Sequence, residues 1–157
     1  MQDTKSVLNA YEDMPLGKIF HHHWGRTLHG SDNVIFCSET GQYNPIYFNA
    51  EYARSLGYDD IPIHPLFVFN VVGGMTVEDL SEGGGLFLGI DRLNNLKAVH
   101  AGDTLTSSSE IVARRLSKSR PGWGIITWRT RGLNQRDELV IEFDKTNMVR
   151  CRDAENV

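Results

Sequence analysis

Cysteine is scarce: Cys37 and Cys151 are the only two, they stand far apart, and neither lies in a CxxC spacing. That argues against a disulfide framework or a cysteine-built zinc site and points to free thiols in a reducing cytoplasm. A basic surplus is also missing. Sixteen Lys and Arg against twenty Asp and Glu give a net charge of −4, which argues against wholesale nucleic-acid binding. Long apolar runs are absent too. The best candidate, residues 61–77, is interrupted by Pro62, His64, Pro65, Asn70, Gly73 and Gly74 and is too short to span a bilayer comfortably. The opening MQDTKSVLNAYEDM has no apolar centre and does not read as a signal peptide. The glycines of SEGGG lack a following Gly-Lys-Ser/Thr and are no phosphate loop. There is no internal repeat and no low-complexity segment. These absences point to a cytoplasmic protein with neither a nucleic-acid nor a membrane partner.

The 157 residues, 40% hydrophobic and 23% charged, suit one globular domain. Residues 1–14 read as a loosely held arm, 15–152 as the domain and 153–157 as a tail. A strand is expected over 18–26. A helix follows, with Ser31 or Asp32 as cap, Val34, Ile35 and Cys37 as apolar face and Gly41 as stop. A loop spans 42–48, and a short helix over 50–56 ends at Gly57. The most apolar segment, IPIHPLFVFNVVGGMTVEDLS, reads as a buried helix starting near His64–Pro65, because proline is welcome in a first turn. Being apolar nearly all round, it should be wrapped by other structure. Strand patterns follow: LFLGIDRLNNL, with Leu86, Leu88 and Ile90 alternating, then GDTLTSSSEIVARRL, GWGIITWRTRGLN and DELVIEFDKTNMVRC. GLNQRDEL reads as a hairpin connection. The class is α+β, an antiparallel sheet curled around one central helix.

Two stretches, YEDMPLGKIFHHHWGRTLHGSDNVIFCSETG and VHAGDTL, together with TGQYNPIYFNAEYA and IPIHPLFVFNVV, resemble the MaoC-like proteins that include the (R)-specific enoyl-CoA hydratases. The similarity runs over about residues 11–152. SKSRPGWGIITWRTRGLNQ is similar to the branch that hydrates mesaconyl-CoA (2-methylfumaryl-CoA) or itaconyl-CoA. The resemblance implies a hot-dog fold, a homodimer or dimer-based oligomer with the site between subunits, and an acyl-CoA thioester as ligand. It implies a hydro-lyase with no separate cofactor, coenzyme A being part of the substrate.

Hydration of an enoyl thioester needs a base to activate water, an acid to protonate the α-carbon, and donors for the thioester oxygen. The family hallmark, roughly G-D-x-N-P-[IL]-H, reads here Gly41-Gln42-Tyr43-Asn44-Pro45-Ile46-Tyr47. A glutamine amide does not titrate, and a tyrosine is a poor base but a good donor near neutrality. Gln42 and Tyr47 either orient water and substrate while another group moves the proton, or are structural loop residues of a site that has lost its chemistry. His64, at the expected helix start, is the candidate replacement acid or base, its proton affinity lowered by the helix dipole; a structural histidine is the plainer alternative. Asn44 either bonds loop and substrate or forms the turn. Asp32 is a better cap than base. Arg114, Arg115, Lys118 and Arg120 bracket a turn and either hold the phosphates of coenzyme A or form a solvated hairpin tip. A substrate carboxylate would add Arg26, Arg129 or Arg131. The run His21-His22-His23 is expected at an exposed strand end. Alternating strand geometry keeps the three from one ion, so no metal site is expected. Two other functions stay open: a non-catalytic acyl-CoA-binding protein, and a thioesterase, for which Glu51 or Asp32 would be the carboxylate.

Overall fold

The computed structural model describes residues 9–154; residues 1–8 and 155–157, most of the expected arm and tail, lie outside the described residues. Five strands, β1 (Ile19–Thr27), β2 (Leu86–Asn95), β3 (Thr104–Leu116), β4 (Trp123–Leu133) and β5 (Leu139–Arg150), form one sheet of order β1-β3-β4-β5-β2. Every strand pairing in it is antiparallel. Four helices precede or interrupt the strands: α1 (Gly30–Glu39), α2 (Ala50–Ser55), α3 (Pro65–Met75) and α4 (Val77–Leu80). This is the α+β arrangement expected, with the sheet curled against α3.

The start of α3 follows from its first residues. His64 is the N-cap, its ring accepting the Leu66 N–H, and Pro65 occupies the first helical position, where its missing N–H costs nothing. Val68, Val71, Val72 and Met75 face the sheet and pack with Leu105, Ile141 and Phe143. The approach is close because β4 carries Gly132 opposite the helix. A Cβ there would stand 2.7 Å from Ile141 Cγ2 and 2.9 Å from Val72 Cγ2. The wrapping is one-sided, however: Leu66, Asn70 and Gly74 remain exposed on the other face. The all-round burial expected of α3 is therefore not met within one chain, because the sheet covers only the face turned towards it.

A second core cluster lies beyond the C-terminal end of α3, formed by Tyr11, Met14, Phe20, Leu80, Ile111, Ile126, Trp128 and Val149. Its N-terminal members differ from a loosely held arm. Met14 is fully buried, and the Arg114 guanidinium lies 4.0 Å over the Tyr11 ring while donating to the Met14 carbonyl at 2.9 Å. Between the two clusters runs a buried polar row. His22 Nδ1 meets Asp79 Oδ2 at 2.6 Å, His22 Nε2 meets Ser109 Oγ at 2.8 Å, and Ser109 meets Thr130 at 2.8 Å. His21 and His23 are exposed as expected of the triple-histidine run, but His22 is buried. Strand alternation turns it inward, where Asp79 and Ser109 satisfy both ring nitrogens.

The alternation expected of β2 is also altered. Register shifts between Phe87 and Gly89 and between Asp91 and Asn94 break its phase. Leu86, Phe87 and Leu88 are all exposed along this edge strand, since each extra residue at a bulge turns the following side chains over. The β4–β5 connection is the expected hairpin, with Asp137 at φ 58° in its turn.

Candidate active site

The loop after α1 is built by local hydrogen bonding. Asp32 in the first turn of α1 accepts the His29 N–H at 3.3 Å and pairs with Arg26 at 3.3 Å, the capping role expected of it. Gly41 takes φ +69° beyond the helix end, and the Gln42 N–H then returns to the Cys37 carbonyl at 2.8 Å. Asn44 caps the single 3-10 turn Pro45–Tyr47, its Oδ1 accepting the Ile46 N–H at 3.1 Å. That turn delivers Tyr47 against the start of α3: the Tyr47 and His64 rings lie 4.5 Å apart between centroids. Phe36 completes the cluster at 5.5 Å from His64, and Phe67 stacks on Phe36 at 5.2 Å.

Asn33, a residue the sequence did not single out, ties these pieces together. Its Oδ1 accepts the His64 N–H at 2.7 Å, and its Nδ2 donates to the carbonyls of Tyr47 and Pro62, each at 3.4 Å. No local signal could have found this role, since the three bonds that join loop and helix reach 14, 29 and 31 residues along the chain.

Two cavities adjoin Tyr47. One, of about 220 Å³, is lined by Ile46, Tyr47, Tyr58, Pro65, Val68 and the backbone stretch 95–99. The other, of about 260 Å³, is lined by Gly30, Asn33, Tyr47, Asp60, Ile63 and Ala101 among others. Lys97, at the mouth of the first, is held by Glu138 at 2.7 Å.

The electrostatics make this a pair of donors. Burial, with smaller contributions from Cys37 and Tyr58, raises the Tyr47 pKa, so the phenol keeps its proton. Burial lowers the pKa of His64, so the ring is neutral. Its Nδ1 accepts the Leu66 N–H at 3.1 Å, which places the single ring proton on Nε2. Such a ring can donate from Nε2 but cannot accept there without giving up its helix cap. The geometry thus leaves His64 with one free N–H, on Nε2, at the helix start.

The other candidates fall elsewhere. The Gln42 side chain makes no hydrogen bond among the described residues and lines neither cavity. Asn44 is exposed and occupied by its own turn. Arg114, Arg115, Lys118 and Arg120 lie at the β3–β4 hairpin, whereas the site lies at the opposite end of β3. With 13 residues in that strand, the separation is roughly 40 Å within one chain. Arg114 is pinned to Tyr11 and Met14, Arg115 donates to the Leu116 carbonyl, Arg120 stacks 4.4 Å over Trp123, and Lys118 is exposed. Arg129 binds Asp144 through two bonds of 2.8 and 3.1 Å, and Arg131 binds Glu142 at 2.7 Å. Both alternate with the buried Trp128, Thr130 and Gly132, and so face away from α3. Arg26 alone of the three sits beside α3, over Phe67 at 5.8 Å. Glu51 is exposed and paired with Arg54; the carboxylate that borders a Tyr47 cavity is Asp60 instead. Among the described residues, no three His, Cys, Asp or Glu side chains converge as a metal site, and no helix is long and apolar enough to cross a membrane.

A family model described as mesaconyl-CoA hydratase matches residues 1–157. The chain is similar to the mesaconyl-CoA hydratase of Haloarcula hispanica, at 36% identity over 154 residues, which cover 96% of the chain and 42% of that protein. Among solved structures it resembles a MaoC domain protein from Chloroflexus aurantiacus, with TM-score 0.90, 32% identity, and coverage of 97% of this chain and 43% of that one. It also resembles a Mycobacterium tuberculosis protein described as a double hotdog fold, with TM-score 0.82, 22% identity, and coverage of 96% and 47%. The fold is thus the hot-dog fold. The chain spans about two fifths of the length of the mesaconyl-CoA hydratases it matches, 42% for the first of them.

Proposed function

Because the chain belongs to the mesaconyl-CoA hydratase family, we propose that it acts in the reversible hydration of an α,β-unsaturated acyl-CoA, with a branched C5 dicarboxylyl thioester such as mesaconyl-CoA as substrate. The observation that carries this reading is the Tyr47–His64 donor pair at the start of α3. In the proposed reaction, water adds to the β-carbon and loses a proton to a base. The α-carbon gains a proton, and the thioester oxygen carries negative charge in between. The Nε2–H of His64 and the hydroxyl of Tyr47 hold that oxygen, the kind of fixed donor set that stabilises developing charge. Asn44 and Gln42 serve the loop that presents Tyr47.

Neither donor can take the proton from water, and we take the base to come from a second hot-dog unit. We take that unit to be a second copy in a homodimer or dimer-based oligomer. The exposed Leu66 and Val77 of the helical face and Leu86, Phe87 and Leu88 of β2 are apolar surface suited to such a partner. The test is to incubate the full chain with a panel of enoyl-CoAs and follow both the enoyl absorbance and free thiol. Loss of absorbance without thiol release, greatest for mesaconyl-CoA, is the expected outcome; thiol release or no turnover of any thioester overturns it.

A second reading has one observation in its favour. Gln42 and Tyr47 occupy the positions where the resembled family keeps a titrating Asp and His, so a non-catalytic acyl-CoA-binding protein is the alternative. It predicts binding in the same panel without loss of absorbance.

A further inference from the structure

We propose that Asn33 is the positioning residue of this site, holding the Tyr47 loop and the His64 helix start at a fixed separation through one buried carboxamide. The inference rests on the reading of Tyr47 and His64 as donors to the thioester oxygen. Asn33 is 1% exposed, borders the smaller cavity beside Tyr47, and has every polar atom of its side chain engaged by the protein. Its side chain offers two acceptor lone pairs and two donor hydrogens, and all four are used. The oxygen accepts the His64 N–H at 2.7 Å and the Cys37 thiol at 3.8 Å. The nitrogen donates to the Tyr47 carbonyl and the Pro62 carbonyl, both at 3.4 Å.

Each catalytic donor therefore hangs on Asn33 by its own main chain, from opposite ends of the same amide. The loop and the helix have no other hydrogen bond joining them directly among the described residues. Only a group with an acceptor and a two-hydrogen donor on one planar carbon satisfies this geometry. A leucine would leave one buried N–H and two carbonyls without partners. A carboxylate would point a second acceptor at two carbonyl oxygens. A neutral carboxylic acid keeps one acceptor and one donor, and so restores part of the arrangement.

That difference supplies the experiment. Asn33→Asp and Asn33→Ala are made in the full chain, and kcat and KM for mesaconyl-CoA are measured across pH as ratios to the unsubstituted protein. For Asn33→Asp, kcat falls about 100-fold at alkaline pH, the size expected when a donor is misplaced by about 1 Å. It recovers as pH is lowered and the buried carboxyl takes up its proton, with KM changed much less. Nitrogen-15 spectra of labelled histidine give a readout that needs no turnover. In the unsubstituted protein His64 is a single Nε2–H tautomer, whereas in Asn33→Ala both tautomers are present, because the helix start is no longer held.

If Asn33→Asp has the unsubstituted kcat and pH profile, or if the His64 tautomer is unchanged in Asn33→Ala, the proposal is overturned. If the unsubstituted protein turns over no enoyl-CoA, the hydratase reading fails instead, and the tautomer measurement still decides the role of Asn33. Should Asn33→Ala fail to fold, the same spectra of Asn33→Asp above and below its carboxyl titration decide it: two tautomers above and one below are expected, and a single tautomer throughout overturns the proposal.

Discussion

Replacing His64 separates its two jobs, and the structure says how large each should be. The ring caps α3 through Nδ1 and packs against Tyr47 and Phe36, while Nε2–H is the donor assigned to the thioester oxygen. His64→Ala removes everything. The lost cap costs about 1 kcal/mol, and the lost packing of a buried ring about 1–2 kcal/mol more. For a domain of this size that lowers Tm by roughly 5–10 °C, so the variant remains folded at 25 °C. Removing one preorganised donor should lower kcat by about 10²–10³, or about 2.7–4 kcal/mol of transition-state stabilisation. His64→Asn distinguishes the jobs. Its short carboxamide is a good cap, so most of the stability returns, but its amide stops short of the position of Nε2, so the activity does not. Thermal melts and initial rates with mesaconyl-CoA on all three proteins form the assay. The reasoning is refuted if His64→Asn recovers the unsubstituted kcat, or if His64→Ala raises KM alone and leaves kcat unchanged.

Three further outcomes follow from the same geometry. The pKa of His64 is lowered from its usual 6.5 by burial, so the unfolded chain binds more protons in the interval below 6.5. Stability is then fully present above that pH and declines as pH falls through the interval; urea melts between pH 5 and 8 should show this slope, and His64→Asn should flatten it. Gly132→Ala places a methyl against Ile141 and Val72 and should cost about 1–3 kcal/mol through overpacking, read as a lower urea midpoint with unchanged m-value. Arg115→Ala and Lys118→Ala, at the far end of β3, should leave KM for an acyl-CoA within about twofold, since exposed charges at that distance are screened; a tenfold rise would return the basic hairpin to the binding site, by way of a partner subunit.

What could be read in advance tracks how local the physics is. The start of α3 was legible because Pro65 and an apolar run announce it, and His64 was legible because it stands at that boundary. The turn at Asn44–Pro45, the stop at Gly57 and the hairpin before Leu139 are likewise written within a few residues. The role of Asn33 was illegible because the three bonds that join loop and helix reach 14, 29 and 31 residues along the chain. The burial of His22 depends on Ser109, 87 positions on. The place of the basic cluster is illegible for a related reason: four cations close together in sequence say nothing about which end of a strand they occupy. The tautomer of His64 is not legible in the sequence, because the Leu66 N–H that fixes it depends on the bond geometry at the cap and not on composition.

The strand order has a consequence for how the chain is made. Of the five strands, the two earliest in chain order, β1 and β2, are the two edges of the sheet, and their partners β3 and β5 come later. While residues up to about 100 leave the ribosome, no strand in the chain has anything to pair with. At about 5–20 residues per second, β1 waits roughly 5–20 s for the end of β3. From its own completion at residue 75 until then, α3, the most apolar segment of the chain, has no sheet to lie on. The nascent chain therefore holds an uncovered greasy helix and the unfinished Tyr47 loop together, and folding of this domain must wait for β3, β4 and β5. Chaperone demand should concentrate in that window, and a pause placed after residue 100 should lengthen it.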